Sequence, residues 1–217
     1  MKNFIEILKK LNVPYTLEND KLTINDDLNL SYTQIKALPK GLTVGGHLDL
    51  HHTPIKELPE GFSITGYLDL RDTLIEKLPE GLSIGGSLYL DNTPIKELPE
   101  VLRVGCSLFG GSLHLDNTPI KVLPEGLSVR GSLYLRHTPI KVLPEGLSVR
   151  GRLELSDTPI EELPNGLTVG SYLNLTCTQI KELPADLTVG GSLILSNTPI
   201  KKLPNGLTVG GLIIGMH

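Results

Sequence analysis

The densest group of chemically reactive side chains in this sequence is the segment HLDLHH at residues 47–52. His47, Asp49 and His51 alternate with leucines, so an extended strand would present all three on one side. Two histidines two residues apart can share a metal ion. His47 and His51 would, however, lie about 13 Å apart along a strand, and Arg71 would fall beside His51 one repeat later. We therefore expect surface histidines here, with no metal and no cofactor.

A hydrolytic site around His51, Asp69 and Asp91 is a second chemical possibility, because these residues would share one face of a repeated strand. The sequence holds no recurring activated nucleophile, paired buried carboxylates, phosphate-binding loop or metal-ligand cluster. The leading expectation is therefore a protein without enzymatic activity.

Short repeats would have to position these residues. The chain contains nine copies of L-x-L-x-x-T-x-I-x-x-L-P-x-x-L-x-V at a step of 20 residues, once 25, where five residues (106–110) are inserted. The first leucines of the copies are Leu28, Leu48, Leu68, Leu88, Leu113, Leu133, Leu153, Leu173 and Leu193. Because a unit this short cannot bury its apolar side alone, the period predicts a solenoid of stacked coils.

Within one coil, Leu48 and Leu50 alternate with polar residues, which predicts one short parallel strand per coil. Thr53 and Pro54 then turn the chain, and a proline and a glycine in the LPxG segment exclude a regular helix on the return. The segment around Leu42 and Val44 adds a possible second extended stretch.

This pattern, from Leu22 to the C-terminus, resembles the leucine-rich repeat, in the short 20-residue form of bacterial effectors and phage proteins. The resemblance implies a β-rich right-handed superhelix with a short parallel sheet on its concave face, irregular LP returns and little helix. It also implies protein binding and, more specifically, inhibition of a host or defence protein.

The sequence departs from the family in two respects. Threonine stands where the family has asparagine, and we expect its hydroxyl to bond the backbone of the next coil. Effector ligases of this class carry a catalytic cysteine domain after the repeats, whereas this sequence stops at GLIIGMH, so we expect none of that chemistry.

The two ends differ from the repeats. Residues 1–21 are predicted to form a cap, with a helix indicated by Phe4, Ile5, Leu8 and Leu11 and a hairpin in YTLENDKLTI. Residues 22–217 hold nine repeats and a partial tenth. Leu212, Ile213 and Ile214 would lie on an unpaired edge, so a self-assembling module that forms a homodimer through this edge is the alternative function.

Charge and composition restrict the partners and the location. The net charge is −4, with acidic and basic residues interspersed, which makes nucleic acid an improbable partner. No stretch approaches the roughly 20 apolar residues of a membrane span, and no signal-peptide core is visible, so a cytoplasmic location is expected while secretion without a signal stays open. Cys106 and Cys177 form no metal or redox spacing.

The residues that vary between copies are the candidates for binding, since packing explains the fixed ones. On the strand face, tyrosine offers a large rigid contact surface with a polar tip, although aromatic residues also suit exposed strands for reasons unrelated to binding. Leu108 and Phe109 in the insertion either contact a partner or mark a neutral duplication. The predicted protein-binding residues are His47, Asp49, His51, Tyr67, Asp69, Arg71, Tyr89, Asp91, His114, Asp116, Tyr134, Arg136, Arg152, Glu154, Tyr172, Asn174, Leu108 and Phe109.

Overall fold

A helix and a hairpin precede the repeats in the computed structural model, which describes residues 2–105 and 110–216. Helix α1 spans Lys2–Lys10 and buries Phe4 and Leu8, four residues apart, against the first coil. Strands β1 (Thr16–Glu18) and β2 (Lys21–Ile24) pair antiparallel. Among the described residues, no helix has the length and apolar character needed to cross a membrane.

Two short strands then recur in every coil. In chain order they are β3 (Leu28–Asn29), β4 (Leu42–Val44), β5 (Leu48–Asp49), β6 (Ser63–Ile64), β7 (Leu68–Asp69), β8 (Ser83–Ile84), β9 (Leu88–Tyr89), β10 (Arg103–Val104), β11 (Leu113–His114), β12 (Ser128–Val129), β13 (Leu133–Tyr134), β14 (Ser148–Val149), β15 (Leu153–Glu154), β16 (Thr168–Val169), β17 (Leu173–Asn174), β18 (Thr188–Val189), β19 (Leu193–Ile194), β20 (Thr208–Val209) and β21 (Ile213–Ile214).

The odd-numbered strands from β3 to β21 form one parallel sheet of ten strands, which we call the main sheet. Its register places each first leucine on the first leucine of the next coil, and Leu88 pairs with Leu113 in the same way. The five extra residues therefore leave the register of the main sheet unchanged.

The even-numbered strands form a second sheet that is interrupted at the insertion. Strands β2 to β10 belong to one run, with β1 at its edge, and β12 to β20 belong to another. Within the described residues, no strand pairing joins β10 to β12, and the two strands border a surface groove of about 410 Å³. Leu108 and Phe109 lie outside the described residues.

The core is a stack of identical aliphatic positions. In a typical coil Leu133, Leu135 and Ile140 are fully buried, and Leu143 and Leu147 close the return side. Apart from Phe62, the buried apolar residues of the repeats are leucine, isoleucine and valine. Each repeat therefore packs against nearly identical neighbours, which explains why these positions vary so little.

The repeated threonines act within their own coil. The Thr53 hydroxyl donates to the carbonyl oxygen of Leu50 at 2.7 Å, and the same bond closes the turn in all nine repeats, at 2.6 to 2.8 Å. The prediction that these hydroxyls bond the next coil was wrong. A hydroxyl placed three residues after a carbonyl is geometrically close to it in a tight turn, so the local partner is taken first.

Each of these turns also requires a left-handed residue immediately before the threonine. His52, Asn92 and Cys177 have φ values of 54°, 59° and 58°, and the same column continues through every repeat. Asparagine and aspartate tolerate this backbone region better than other residues with a side chain, which accounts for their frequency in the column.

Candidate functional site: the outer face of the main sheet

The candidate site is the outer face of the main sheet, which we call the sheet face. Its side chains stand in three columns, before, between and after the two leucines of each strand. Column A holds His47, Tyr67, Ser87, Ser112, Ser132, Arg152, Tyr172 and Ser192. Column B holds Asp49, Asp69, Tyr89, His114, Tyr134, Glu154, Asn174 and Ile194. Column C holds His51, Arg71, Asp91, Asp116, Arg136, Ser156, Thr176 and Ser196. All predicted binding residues except Leu108 and Phe109 therefore belong to one surface.

Column A satisfies backbone donors between coils. Nδ1 of His47 accepts the backbone N–H of Tyr67 at 3.0 Å, and Oγ of Ser112 accepts the backbone N–H of Ser132 at 3.0 Å. Oγ of Ser132 accepts the N–H of Arg152 in turn. The side-chain ladder between coils thus lies in column A rather than at the threonines. The sequence signal for this ladder is the recurrence of serine in column A, at Ser87, Ser112, Ser132 and Ser192.

Columns B and C satisfy a second set of backbone donors. Oδ1 of Asp49 accepts the N–H of His51, and Oδ1 of Asn174 accepts the N–H of Thr176, each at 3.0 Å and within one strand. Where column B holds an aromatic residue, no column B carboxylate or amide oxygen is present to accept the column C N–H of the same coil. There, Asp116 of column C accepts the N–H of Arg136 in the next coil, at 2.8 Å. Several carboxylates predicted as binding residues therefore have a structural task as well.

The aromatic side chains of the sheet face form a continuous row across five coils. Their ring centroids lie 4.0 Å apart for His47 and Tyr67, 6.0 Å for Tyr67 and Tyr89, 4.4 Å for Tyr89 and His114, and 4.3 Å for His114 and Tyr134. We call these five residues the aromatic row. His47 stacks on Tyr67 and His114 on Tyr134, whereas Tyr67 and Tyr89 meet edge to face. The stacked pairs cover one another's faces and so offer ring edges and polar atoms to a partner. Tyr172 stands apart, with the Arg152 guanidinium 5.2 Å from its ring centroid.

Two arginines of column C are held by carboxylates. Nε of Arg71 donates to both oxygens of the buried Asp69 at 3.0 Å, and Nε of Arg136 donates to Oδ2 of Asp116 at 2.8 Å. Hydrogen bonding to these carboxylates raises the pKa of both arginines. The charges of these two pairs are compensated inside the protein.

Asp91 has no such partner. Within residues 2–105 and 110–216, no basic side chain lies within 4.0 Å of its carboxylate. Burial raises the pKa of Asp91 to about 6, the Asp116 carboxylate adds to this rise, and the Asp116 N–H and Arg71 oppose it. Burial likewise lowers the pKa of the neighbouring His114 to about 4, so this imidazole is neutral above that pH.

A metal-ligand arrangement of Asp49, His51 and Asp69 also lies on the sheet face, with one donor atom from each residue within 4.8 Å of the others. Nδ1 of His51 is 2.6 Å from Oδ1 of Asp49, while both oxygens of Asp69 accept from Arg71. A metal ion would have to displace the guanidinium from Asp69. The same ion pair holds Asp69 away from the hydrolytic role considered with His51 and Asp91.

Comparison with known proteins defines the fold of this chain. No protein-family model matches it, and no curated protein matches it. A solved chain from the Toll–Spätzle complex of Drosophila is similar over 84% of this chain, with 21% identity and a TM-score of 0.61. YopM from Yersinia enterocolitica matches over 87% of this chain and 65% of its own, at 16% identity and a TM-score of 0.38. YopM from Yersinia pestis matches over 97% and 90%, at 16% identity and a TM-score of 0.30.

The molecule is a leucine-rich-repeat solenoid, as its repeat pattern predicted, with parallel sheets and a single short helix among the described residues. It spans 29% of the length of the chain from the Toll–Spätzle complex.

Proposed function

We propose that this protein is a non-enzymatic scaffold that binds another protein through the sheet face. The aromatic row supports this proposal most directly. Five rings in mutual contact across five coils form an extended surface whose side chains already support one another, so little side-chain entropy is lost when a partner binds.

The fold comparison is compatible with this proposal. The similar chain of known structure belongs to a complex between Toll and Spätzle, and we extend binding of a protein ligand to the present chain. Inhibition of a host or defence protein is the specific form that the resemblance to effector and phage repeats suggests, since a scaffold can act by covering a partner's surface. A location in the cytoplasm is part of the same proposal.

The test is quantitative affinity capture followed by mass spectrometry. Tagged wild type is compared with a Tyr89→Ala, Tyr134→Ala variant and with a matched Val122→Ala, Val142→Ala control. The two valines are 65% and 48% exposed on the return side, away from the sheet face. We expect the tyrosine variant to lose a captured protein by at least about tenfold while the control retains it. Equal capture by all three proteins would place the binding surface elsewhere.

Self-assembly is the second candidate, favoured by the exposed end of the main sheet. Leu212, Ile213 and Ile214 are 70%, 40% and 43% exposed, and β21 pairs only with β19 among the described strands. An apolar edge strand can pair with the same strand of a second copy. Sedimentation equilibrium at about 100 µM tests this candidate. A wild-type dimer that becomes a monomer when Leu212→Lys and Ile214→Lys are combined would support it. A monomeric wild type excludes it.

A further inference from the structure

We infer that the partner places an arginine or lysine side chain against Asp91, next to the aromatic row. This inference rests on the proposed function and adds the chemistry of the partner. It follows from how charge is distributed over columns A, B and C of the sheet face.

The sheet face carries an excess of carboxylates. In the second to ninth coils, its acidic residues are Asp49, Asp69, Asp91, Asp116 and Glu154, and its arginines are Arg71, Arg136 and Arg152. Asp69 and Asp116 each hold one of these arginines, as described above. Arg152 lies over the ring of Tyr172, three coils beyond Tyr89 at the centre of the aromatic row. Arg71 and Arg136 act on Asp91 from a distance, but within residues 2–105 and 110–216 no cation pairs with it directly, so a partner can supply one.

Asp91 stands at the middle of the aromatic row. It follows Tyr89 by two residues in the same coil, and its Oδ1 accepts the N–H of Asp116 at 2.9 Å. This bond fixes one oxygen and leaves Oδ2 available to an incoming donor. The guanidinium of Arg71 stays with Asp69 and lies 5.3 Å from the Tyr89 ring centroid.

Other partner chemistries fit this position less well. An acidic side chain would meet the negative charge of Asp91, which has no directly paired cation among the described residues. A neutral group would cover a carboxylate that is already partly removed from water, without supplying a counter-charge. An ammonium or guanidinium supplies both the charge and the hydrogen-bond donors.

Binding of a cation should be linked to proton release from Asp91. The charged groups that act on this carboxylate are Asp116, Arg71 and Asp69, together with Arg136, which is hydrogen-bonded to Asp116. Because a bound cation favours the charged carboxylate, affinity should rise as the pH increases through about 6. His114, neutral above about pH 4, does not supply a competing charge in this range.

The experiment is selection of a random peptide phage-display library on four purified proteins. These are wild type, Tyr89→Ala with Tyr134→Ala, Asp91→Asn, and Asp157→Asn as a control for loss of one exposed carboxylate outside the sheet face. Asparagine retains the Oδ1 acceptor, and circular dichroism checks the fold of each variant. We expect wild type and the Asp157 variant to select peptides rich in arginine or lysine, which bind Asp91→Asn at least about tenfold more weakly.

The possible outcomes separate this inference from the proposed function. The cation inference is overturned if the selected peptides are acidic or neutral, or if basic peptides bind Asp91→Asn as tightly as wild type. Either result leaves the proposed binding surface intact. If the tyrosine variant selects and binds the same peptides as wild type, the proposed surface itself is wrong. A selected peptide whose basic residue is replaced by glutamine should lose the pH dependence of its affinity between pH 5 and about 7. Retention of that dependence would also contradict the role of Asp91.

Discussion

Oδ1 of Asp91 accepts the backbone N–H of Asp116 at 2.9 Å, across the one step of the solenoid that is 25 residues long. The side-chain ladder of the sheet face thus passes the insertion without interruption. The same bond holds an uncompensated carboxylate beside a second one, which has measurable consequences for stability.

Asp91→Asn should stabilise the protein at neutral and alkaline pH. The pKa of Asp91 in the folded protein, about 6, lies above its ordinary value of 3.8. The ionised carboxylate therefore lowers the free energy of unfolding above pH 6, and this loss disappears as the pH falls below about 4. After allowance for screening by solvent, the gain is about 1 kcal/mol at pH 8. Urea unfolding at pH 8 and pH 4 measures it. A gain of equal size at both pH values would contradict the charge explanation.

His114→Asn should remove a loss of stability in acid. The folded-state pKa of about 4 lies below the ordinary 6.5, so the stability tied to neutral His114 is complete above pH 6.5 and is lost as the pH falls toward 4. Asparagine occupies the same column at Asn174. Melting curves between pH 7 and pH 4 should fall less steeply for this variant than for wild type. The exposed His137→Asn is the control, and an identical slope for both variants would refute the assignment.

Thr138→Val should cost about 1 to 2 kcal/mol, because it removes a buried hydroxyl without changing the side-chain shape and leaves a carbonyl short of one partner. The hydroxyl donates to the Leu135 carbonyl at 2.7 Å, and Thr138 is 2% exposed. Thr138→Ser keeps the hydrogen bond and serves as the control. Chemical denaturation of the three proteins should rank valine as least stable. Wild-type stability of the valine variant would show that the turn does not depend on this bond.

Cys177→Asn should raise stability by about 0.5 kcal/mol, since asparagine tolerates the left-handed backbone that cysteine adopts there at φ 58°. Cys177→Val should lower it by about 1 to 2 kcal/mol, because a β-branched side chain is strained in this region. Cys177 is exposed, so core packing does not enter the comparison. Thermal melts of the pair check the prediction, and equal melting temperatures would contradict it.

The repeat pattern was sufficient to predict the coil and its core. Leu48 and Leu50 alternate with polar residues, and this alternation identified the strand, its buried side and its parallel partner. Leu42 and Val44 were likewise enough to indicate the second extended segment. These features repeat with every coil, so sequence periodicity records them directly.

The polar chemistry of the sheet face was not predictable in the same way. The threonine was assigned to the wrong acceptor because both the same coil and the next coil offer carbonyl groups, and only the turn geometry selects between them. The acceptor roles of Ser112 and Asp116 depend on neighbours 20 or 25 residues away, and the aromatic row crosses from column A to column B between Tyr67 and Tyr89. Such pairings depend on the register and on side-chain rotamers. The identification of the sheet face as a binding site remains a prediction.

The interruption of the second sheet between β10 and β12 divides the folding energetics of the chain. In a stacked array, stability is the sum of each repeat and its contacts with its neighbours, so the weakest junction determines where cooperativity fails. Coils on either side of this junction are joined by the main sheet and by the stacked leucines, without the second ladder that links most other neighbours. We therefore expect the coils that precede the β10–β12 junction and the coils that follow it to open as two separate units, and native-state hydrogen exchange should report two opening free energies, one for each group of coils.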